Sequence, residues 1–120
     1  MEGTLSAGRR GEQAAADYLS ARGYRILDRN WRAGRYELDI VARRGDTIHF
    51  VEVKSRRRGS LTTPEEALTP AKFEALCRAA RAWIPAHPCD LEISFDLAAV
   101  ELAPEGCRVR HIPGAAAPRW

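Results

Sequence analysis

The segment "YELDIVARRGDTIHFVEVK", residues 36–54, decides the fold because it holds two strand-forming runs around a short turn. In each run apolar and polar side chains alternate, which is typical of a strand with one buried face. Gly45-Asp46 suits a two-residue hairpin turn, which would pair Arg44 with Thr47. The segment therefore predicts an antiparallel hairpin whose register can be counted from its turn.

That register opposes Asp39 to Glu52 and Glu37 to Lys54. Opposed Cβ atoms in such a pair lie roughly 5 Å apart, and two carboxylates that close repel each other unless one is protonated or a cation binds. Mg²⁺ or Mn²⁺ would remove the conflict, polarise a phosphoryl group and lower the pKa of a bound water. Lys54 could orient that water or stabilise developing charge. The alternative is a half-exposed hairpin with its polar face in water.

A helix is predicted over residues 9–22, with Gly23 at a left-handed C-terminal position. Its inward stripe at helical spacing consists of Ala15, Ala16 and Leu19. Glu12 lies on the same stripe, where a carboxylate is unusual. Glu12 is either a metal ligand or base near the hairpin, or a first-turn glutamate favoured by the helix dipole.

A second helix is predicted after Thr69-Pro70, a pair typical of a helix N-cap and first turn, and Thr63-Pro64 has the same pattern. The helix should end before Pro85. Its apolar face contains Phe73, Leu76, Cys77, Ala80, Trp83 and Ile84, so Cys77 is expected to be a core thiol.

Strands are also predicted over 24–31, 91–100 and 107–112, and a mobile loop over 55–63. The resulting order is αβββαββ, an α/β layer fold with a central mixed sheet flanked by helices. A single domain is expected over 9–112. A flexible N-terminus (1–8) and a flexible tail (113–120), which includes Trp120, are expected to flank it.

Composition limits the function classes. The chain has 120 residues, 45% of them hydrophobic, enough for one domain with its own core. Its apolar runs are too short to span a bilayer, so no membrane partner is expected. The three cysteines form no CxxC pair and the three histidines are scattered, which argues against disulfides and a zinc site. A reducing cytoplasm is the expected location.

Charge is unevenly distributed. Residues 1–64 contain 13 Arg and Lys against 8 Asp and Glu, whereas residues 65–120 contain 6 against 8. The N-terminal half therefore suits a polyanion, or is simply a solvated basic surface. Of the 19 basic residues 17 are arginine, and one of the two lysines is Lys54. Lysine differs from arginine in that its pKa shifts readily on burial.

Four stretches together resemble one known family, in the right order and with short gaps over roughly residues 8–112. They are "GEQAAADYLSARGYRILDRNWR", "ELDIVA", "VEVKSR" and "EEALTPAKFEAL". The sequence is similar to the YraN-like family of small bacterial proteins. The resemblance implies a restriction-endonuclease-like fold and a metal-dependent DNA endonuclease of PD-(D/E)XK type. It also implies a likeness to archaeal-type Holliday-junction resolvases, and hence branched DNA as a substrate.

Carried over by position, the resemblance implies that Asp39, Glu52 and the carbonyl of Val53 bind Mg²⁺ or Mn²⁺. Lys54 would assist the nucleophile, and the helical glutamate typical of resolvase-like members falls on Glu12. Glu37 is a further candidate beside Asp39. One departure is visible, since Tyr36 stands where the family usually has glycine, although Tyr36 is expected to point to the opposite face.

Sequence-nonspecific DNA binding is expected to use basic residues around the hairpin. The expected contacts are Arg9, Arg10, Arg32, Arg35, Ser55, Arg56, Arg57, Arg58 and Lys72. A homodimer is also expected, because symmetric cutting of a junction needs two sites. The alternative is a non-catalytic nucleic-acid-binding or partner-docking module that keeps the nuclease fold.

Overall fold

The computed structural model describes residues 6–59, 68–87 and 91–117. In these ranges the elements are α1 (Ala7–Ala21), β1 (Arg25–Ala33), β2 (Tyr36–Arg44), β3 (Thr47–Arg57), α2 (Pro70–Ala86), β4 (Glu92–Ala103) and β5 (Gly106–Ala116). They form a single mixed sheet with strand order β1-β2-β3-β4-β5. The predicted αβββαββ order is confirmed, and the architecture is compatible with a restriction-endonuclease-like fold.

The mixed character of the sheet arises at its centre. The hairpins β1–β2, β2–β3 and β4–β5 are antiparallel, whereas β3 and β4 are parallel and are connected through α2. The buried apolar side chains form two clusters: one includes the inward side chains of α1, and the other those of α2. The helices therefore cover opposite faces, and a residue's cluster shows which face it occupies.

Helix α1 begins after Ser6, whose hydroxyl accepts a hydrogen bond from the backbone N–H of Arg9. The predicted stripe of Ala15, Ala16 and Leu19 is buried, which confirms its inward orientation. Gly23 has a positive φ of 89°, as predicted for the residue that ends this helix.

Gly11 is a buried glycine inside α1, where glycine weakens a helix. A Cβ at this position would lie 1.8 Å from the Oγ of Ser55 and 3.1 Å from its Cβ. The missing side chain thus lets α1 approach β3 at the residue next to Lys54. This contact positions the neighbouring Glu12 against the end of β3.

We expect Gly11→Ala to destabilise the protein by about 1–2 kcal/mol, because the overlap with Ser55 outweighs the gain in helix propensity. Gly8→Ala is the matched control, since a Cβ there meets no atom within 4 Å. It should be neutral or stabilising. Urea unfolding measures both variants, and Ser55→Ala should recover part of the loss in the Gly11→Ala background. Equal effects of the two glycine substitutions would contradict this packing.

Helix α2 begins as predicted: Thr69 Oγ1 accepts a hydrogen bond from the N–H of Lys72, and Pro70 occupies the first turn. Its predicted apolar face is directed into the core, and Cys77 is a buried thiol, 4% exposed. The predicted end before Pro85 is wrong, since the helix continues to Ala86. A proline in the last turn removes only one backbone donor, while the packing of Trp83 and Ile84 holds the turn.

Several predicted boundaries differ from the structure, and β1 and β4 extend beyond their predicted ends, to Ala33 and Ala103. β3 continues to Arg57, so the loop predicted from residue 55 starts later, because parallel pairing with β4 extends through Arg57 and Leu102. β5 continues to Ala116, which pairs with Phe95 and lies in the predicted flexible tail. α1 starts at Ala7, within the predicted flexible N-terminus. The Thr63-Pro64 cap and Trp120 lie outside the described residues.

Neither α1 nor α2, the helices of the described ranges, combines the length and the apolar character that a bilayer crossing requires.

Candidate active site

The site lies where β2 separates from β3. Pairing between these strands runs from Arg44–Thr47 to Ile40–Val51, which confirms the register counted from the turn. The regular ladder ends there. The predicted Asp39–Glu52 and Glu37–Lys54 oppositions therefore lie just beyond it, in the part of the hairpin that opens.

β1 and β2 are both bent at this point. Leu38 packs in the α2-side cluster, whereas Ile40, two residues later, packs in the α1-side cluster. A regular strand would keep them on one face, so the regular alternation predicted for the run that begins at Tyr36 is wrong at this point. Asn30, on β1 between the residues that pair with Leu38 and Ile40, has a positive φ of 51°. The bend moves Asp39 out of regular alternation.

Asp39 is held by the backbone of β3. Its Oδ2 accepts a hydrogen bond of 2.9 Å from the N–H of Val53, so a carboxylate takes the role of a backbone acceptor where the ladder ends. This contact places the Asp39 carboxylate next to Glu52, the residue before Val53. The sequence predicted the proximity of the two acids, and the tertiary structure achieves it through this side-chain contact.

The neighbouring acids and burial together determine the electrostatics of Asp39. Burial, the largest cause, acts together with the negative charges of Glu52, Glu12 and Glu37 to raise the pKa of Asp39 from its ordinary 3.8 to about 7, against the Val53 N–H, which lowers it. A carboxyl with this pKa exchanges its proton near neutral pH. Without a cation, the ionised form of Asp39 is disfavoured below about pH 7.

Glu52 and Lys54 lie on the α2 side of the sheet, as does Lys72. Burial raises the pKa of Glu52, while Lys72 and Lys54 lower it in part. Lys72 Nζ lies 4.0 Å from Glu52 Oε2. The charge of Lys72 is the main cause that lowers the pKa of Lys54, and burial and Arg56 add to it. The first turn of α2 therefore adds a second amine to the site.

Glu12 and Glu37 border the acid pair. Both raise the pKa of Asp39 and of Glu52 through their charge, so both lie near the site. Glu12 is half-buried on α1, one residue after Gly11. Glu37 pairs with Arg32 of β1, with 3.8 Å between its Oε2 and Arg32 Nη2, so a cation other than Lys54 is its ion-pair partner.

Tyr36 was predicted to point to the face opposite Glu52, and this prediction is wrong. Tyr36 packs against the α2-side cluster, because the bend at Asp39 reverses the faces of residues before it. Its hydroxyl lies 3.5 Å from Arg35 Nη2, and this hydrogen bond is the main cause that lowers the Tyr36 pKa. Tyr36 thus lines a surface depression with Arg78 of α2.

The predicted phosphate-binding residues are dispersed. Arg56 lies beside Lys54 and donates from Nη1 to the carbonyl of Ser55. Arg58 forms an ion pair with Glu105 at the far end of β3. Arg10 donates to the carbonyl of Ala103. Arg9 and Arg57 are exposed.

Two arginines that were not predicted to contact DNA lie near Lys54 and Arg56. Arg110 and Arg108 of β5 lie across β4 from Lys54 and Arg56, and the four side chains line a cavity of about 200 Å³. The alternation in "CRVRHI" places the two arginines on one face of a strand, but it does not show which strand they approach. We call Lys54, Arg56, Arg108 and Arg110 the basic face.

The histidines, described above as scattered along the sequence, are partly brought together by the fold. Among residues 6–59, 68–87 and 91–117, one group of three possible metal ligands has its ligand atoms within 4.8 Å of one another: His49, Asp96 and His111. The acids of the hairpin do not form such a group of three within these ranges. No short-range motif signals the histidine cluster, because its members come from three strands.

The sequence is similar to several proteins that carry the name UPF0102 protein. The profile described as "Uncharacterised protein family UPF0102" matches residues 11–100, a span that includes the hairpin acids and Lys54. A UPF0102 protein of Nitratidesulfovibrio vulgaris is 48% identical over 109 residues, which are 90% of this chain and 81% of the relative. One of Syntrophus aciditrophicus is 44% identical over 116 residues, 96% and 91% of the two chains.

A UPF0102 protein of Oleidesulfovibrio alaskensis is 53% identical over 97 residues, or 80% of this chain. The match covers 48% of that relative, so the chain spans about half of its length.

Proposed function

This chain belongs to the UPF0102 family, the YraN-like family that its sequence predicted, and we propose that it is a metal-dependent DNA endonuclease. The observation that carries the proposal is the position of Asp39, bound through its carboxylate to the N–H of Val53 and adjacent to Glu52. Two half-buried acids side by side repel each other unless one is protonated or a cation binds, and such groups are common at functional sites. A divalent cation is the simplest partner for them.

The residues present fit Mg²⁺ or Mn²⁺. The donor set consists of carboxylate oxygens, which both ions prefer, and burial together with the neighbouring acids raises the pKa of Asp39 and of Glu52, so their ionised forms are disfavoured without a cation. Asp39 and Glu52 would hold the ion, with the carbonyl of Val53 as the further ligand that the family resemblance implies. When bound, the ion would neutralise phosphate charge and lower the pKa of a water molecule.

Lys54 is the residue placed to act on the reacting groups. Hydrolysis forms a bond from the water oxygen to phosphorus, breaks the bond to the leaving oxygen, and delivers a proton to that oxygen. Lys54 would orient the water and stabilise the charge on the phosphoryl oxygens. Because Lys72 and burial lower its pKa, Lys54 gives up a proton more easily than an exposed lysine does.

DNA would lie along the basic face. Lys54 belongs both to this face and to the acid site, so a phosphate held by Arg56, Arg108 or Arg110 would lie next to the acid pair. Contacts of this kind give affinity without sequence preference. The narrower part of the proposal is that the substrate is branched DNA. It rests only on the resemblance to resolvases.

One observation favours a non-catalytic alternative. Within the described ranges, the hairpin acids do not come together as three possible ligands within 4.8 Å. A module that binds DNA or a protein without cutting would need no such group. It predicts salt-sensitive DNA binding, no metal requirement and no product.

The test is cleavage of labelled linear, flapped and four-way DNA by the full chain, with and without Mn²⁺. Titration calorimetry with Mn²⁺ accompanies it, on the wild type and Glu52→Ala. The proposal expects products only with metal, and binding heat that disappears in the variant. DNA binding without product, together with no Glu52-dependent heat, would establish the alternative.

We expect the double substitution Arg108→Ala and Arg110→Ala to weaken DNA binding and to lower its salt slope by about 1 per lost phosphate contact. The heat of Mn²⁺ binding should not change. Arg25→Ala is the matched control, because Arg25 lies on β1, the opposite edge of the sheet. Fluorescence anisotropy at several salt concentrations measures the slope. A slope equal to that of the wild type would exclude these arginines from the contact.

A homodimer would supply the two sites that symmetric junction cutting needs. Light scattering of the protein, alone and with four-way DNA, tests this part of the proposal. A monomer under both conditions would restrict the activity to single-strand or flap cutting.

A further inference from the structure

The face of the sheet on the α1 side carries a second polar cluster, separate from the acid site. His49, Asp96 and His111 come from the adjacent strands β3, β4 and β5. His49 lies between Ile48 and Phe50, which belong to the α2-side cluster, so His49 points away from α2. The cluster and the Glu52–Lys54 pair therefore lie on opposite faces.

Both imidazoles are directed at the same oxygen atom. His49 Nδ1 and His111 Nε2 each lie 2.6 Å from Asp96 Oδ2. The other carboxylate oxygen, Oδ1, accepts hydrogen bonds from the hydroxyl of Ser94 and the N–H of Gly114. The carboxylate is thus fixed through one oxygen, while two nitrogens converge on the other.

The cluster is enclosed. Asp96 is fully buried, and the side chains of His49 and His111 are 9% and 7% exposed. The ring of Tyr24 meets both imidazoles edge-on, with centroid distances of 5.0 and 5.5 Å. Although burial by itself raises the pKa of Asp96, hydrogen bonds from His111, His49 and Ser94 hold this pKa well below its usual range. The core thus contains a carboxylate that stays ionised.

We propose that His49, Asp96 and His111 bind a transition-metal dication of the Zn²⁺ type. Two imidazole nitrogens and one carboxylate oxygen are a donor set that suits zinc, cobalt and nickel, whereas Mg²⁺ prefers oxygen alone. All three ligands stand on paired strands, which hold them rigidly. Ser94 and Gly114 orient the carboxylate from behind, as partners of metal ligands commonly do.

Metal binding would require each imidazole nitrogen to move back from Oδ2 by roughly 0.7 Å, because tetrahedral ligands at about 2.0–2.1 Å from an ion lie roughly 3.3 Å from one another. In a neutral imidazole the proton resides on one nitrogen, and it can move to the other nitrogen when the first becomes a ligand. The ion would bond to His49 Nδ1, His111 Nε2 and Asp96 Oδ2. These bonds would replace the two hydrogen bonds that now join the nitrogens to the oxygen. It would join β3 to β5 across β4, and β5 is an edge strand with one neighbour in the sheet. Its effect would be to stabilise this edge.

The experiment is a titration of the tag-free, chelator-treated full chain with Co²⁺, followed by visible absorption. We expect an intense four- or five-coordinate band that saturates at about one equivalent and is bleached by Zn²⁺. His49→Ala and His111→Ala should lose the band. His87→Ala is the matched control, because His87 also lies near a carboxylate, with its Nε2 3.6 Å from Asp28 Oδ2. His87→Ala and Asp39→Ala should keep the band, which separates this site from the acid site.

X-ray absorption of the Zn²⁺-loaded wild type gives an answer that requires no variant. Two imidazole nitrogens at about 2.0–2.1 Å are expected, with oxygen completing the shell. An oxygen-only shell would overturn the proposal, as would the absence of an intense cobalt band in the folded wild type. A band that survives in folded His111→Ala would do the same.

Discussion

Asp39→Ala and Glu52→Ala are each expected to reduce Mn²⁺-dependent DNA cleavage by at least about a thousandfold. A catalytic metal supplies several kcal/mol of stabilisation to the transition state, and each ~1.4 kcal/mol corresponds to about a tenfold change in rate. Both variants should also lose the heat of Mn²⁺ binding. Single-turnover cleavage of labelled DNA measures the rate.

Lys54→Ala separates metal binding from catalysis. It should keep the heat of Mn²⁺ binding but lose roughly 10²–10³ in rate, the usual effect of removing one donor that stabilises the charge of a transition state. Asp17→Ala is the matched control for the acids, because Asp17 is an exposed carboxylate on α1 whose side chain contacts Gln13. Equal cleavage in all four variants would show that the activity comes from another site or another protein.

The stability of the metal-free protein is expected to depend on the protonation of Asp39. The pKa of Asp39 is raised to about 7 in the folded state, so the folded state binds this proton more tightly than the unfolded chain does. The resulting stabilisation is complete below the unfolded pKa of about 4 and is lost as pH rises through about 7. Ionised Asp39 thus weakens the fold above neutral pH.

Asp39→Asn removes this dependence, because an amide keeps an oxygen for the Val53 N–H and carries no charge. At about pH 8 the variant should be more stable than the metal-free wild type by roughly 2–4 kcal/mol, and the difference should fall at about pH 5. Chemical denaturation at both pH values measures it. Mn²⁺ at about pH 8 should stabilise the wild type and leave Asp39→Asn unchanged.

Asp46→Asn is the control for this comparison, since Asp46 is exposed in the turn between β2 and β3. It should show the pH dependence of the wild type. Parallel pH profiles for the wild type and Asp39→Asn would mean that Asp39 is solvated like an ordinary surface carboxylate and that the acids are not held together.

The metal-ion proposals address separate sites and can fail independently. If the protein does not cleave DNA but shows the cobalt band, the proposal for the histidine cluster stands. If it cleaves DNA but shows no cobalt band, the nuclease proposal stands. The acid site offers oxygen donors near an opening between strands. The histidine cluster offers nitrogen donors under α1, and the different donor chemistry favours different ions.

By itself the sequence determined the order of elements, the turn at Gly45, the register from Arg44–Thr47 to Ile40–Val51, the left-handed residue Gly23 after α1, the N-cap of α2, and the apolar faces of both helices. These features depend on neighbours within a few residues, or on an alternation that a short turn keeps in phase. The same local information placed Asp39 and Glu52 near each other.

Only the tertiary structure decided the bend at Asp39, the approach of Lys72 to Glu52, the basic face, and the meeting of His49 with His111. Each depends on which strands lie side by side after the chain has crossed the sheet through α2. Alternation within one strand shows that a residue faces one side, but not which distant residue shares that side. The partner is set by parallel pairing of β3 with β4 and by the packing of two helices on opposite faces.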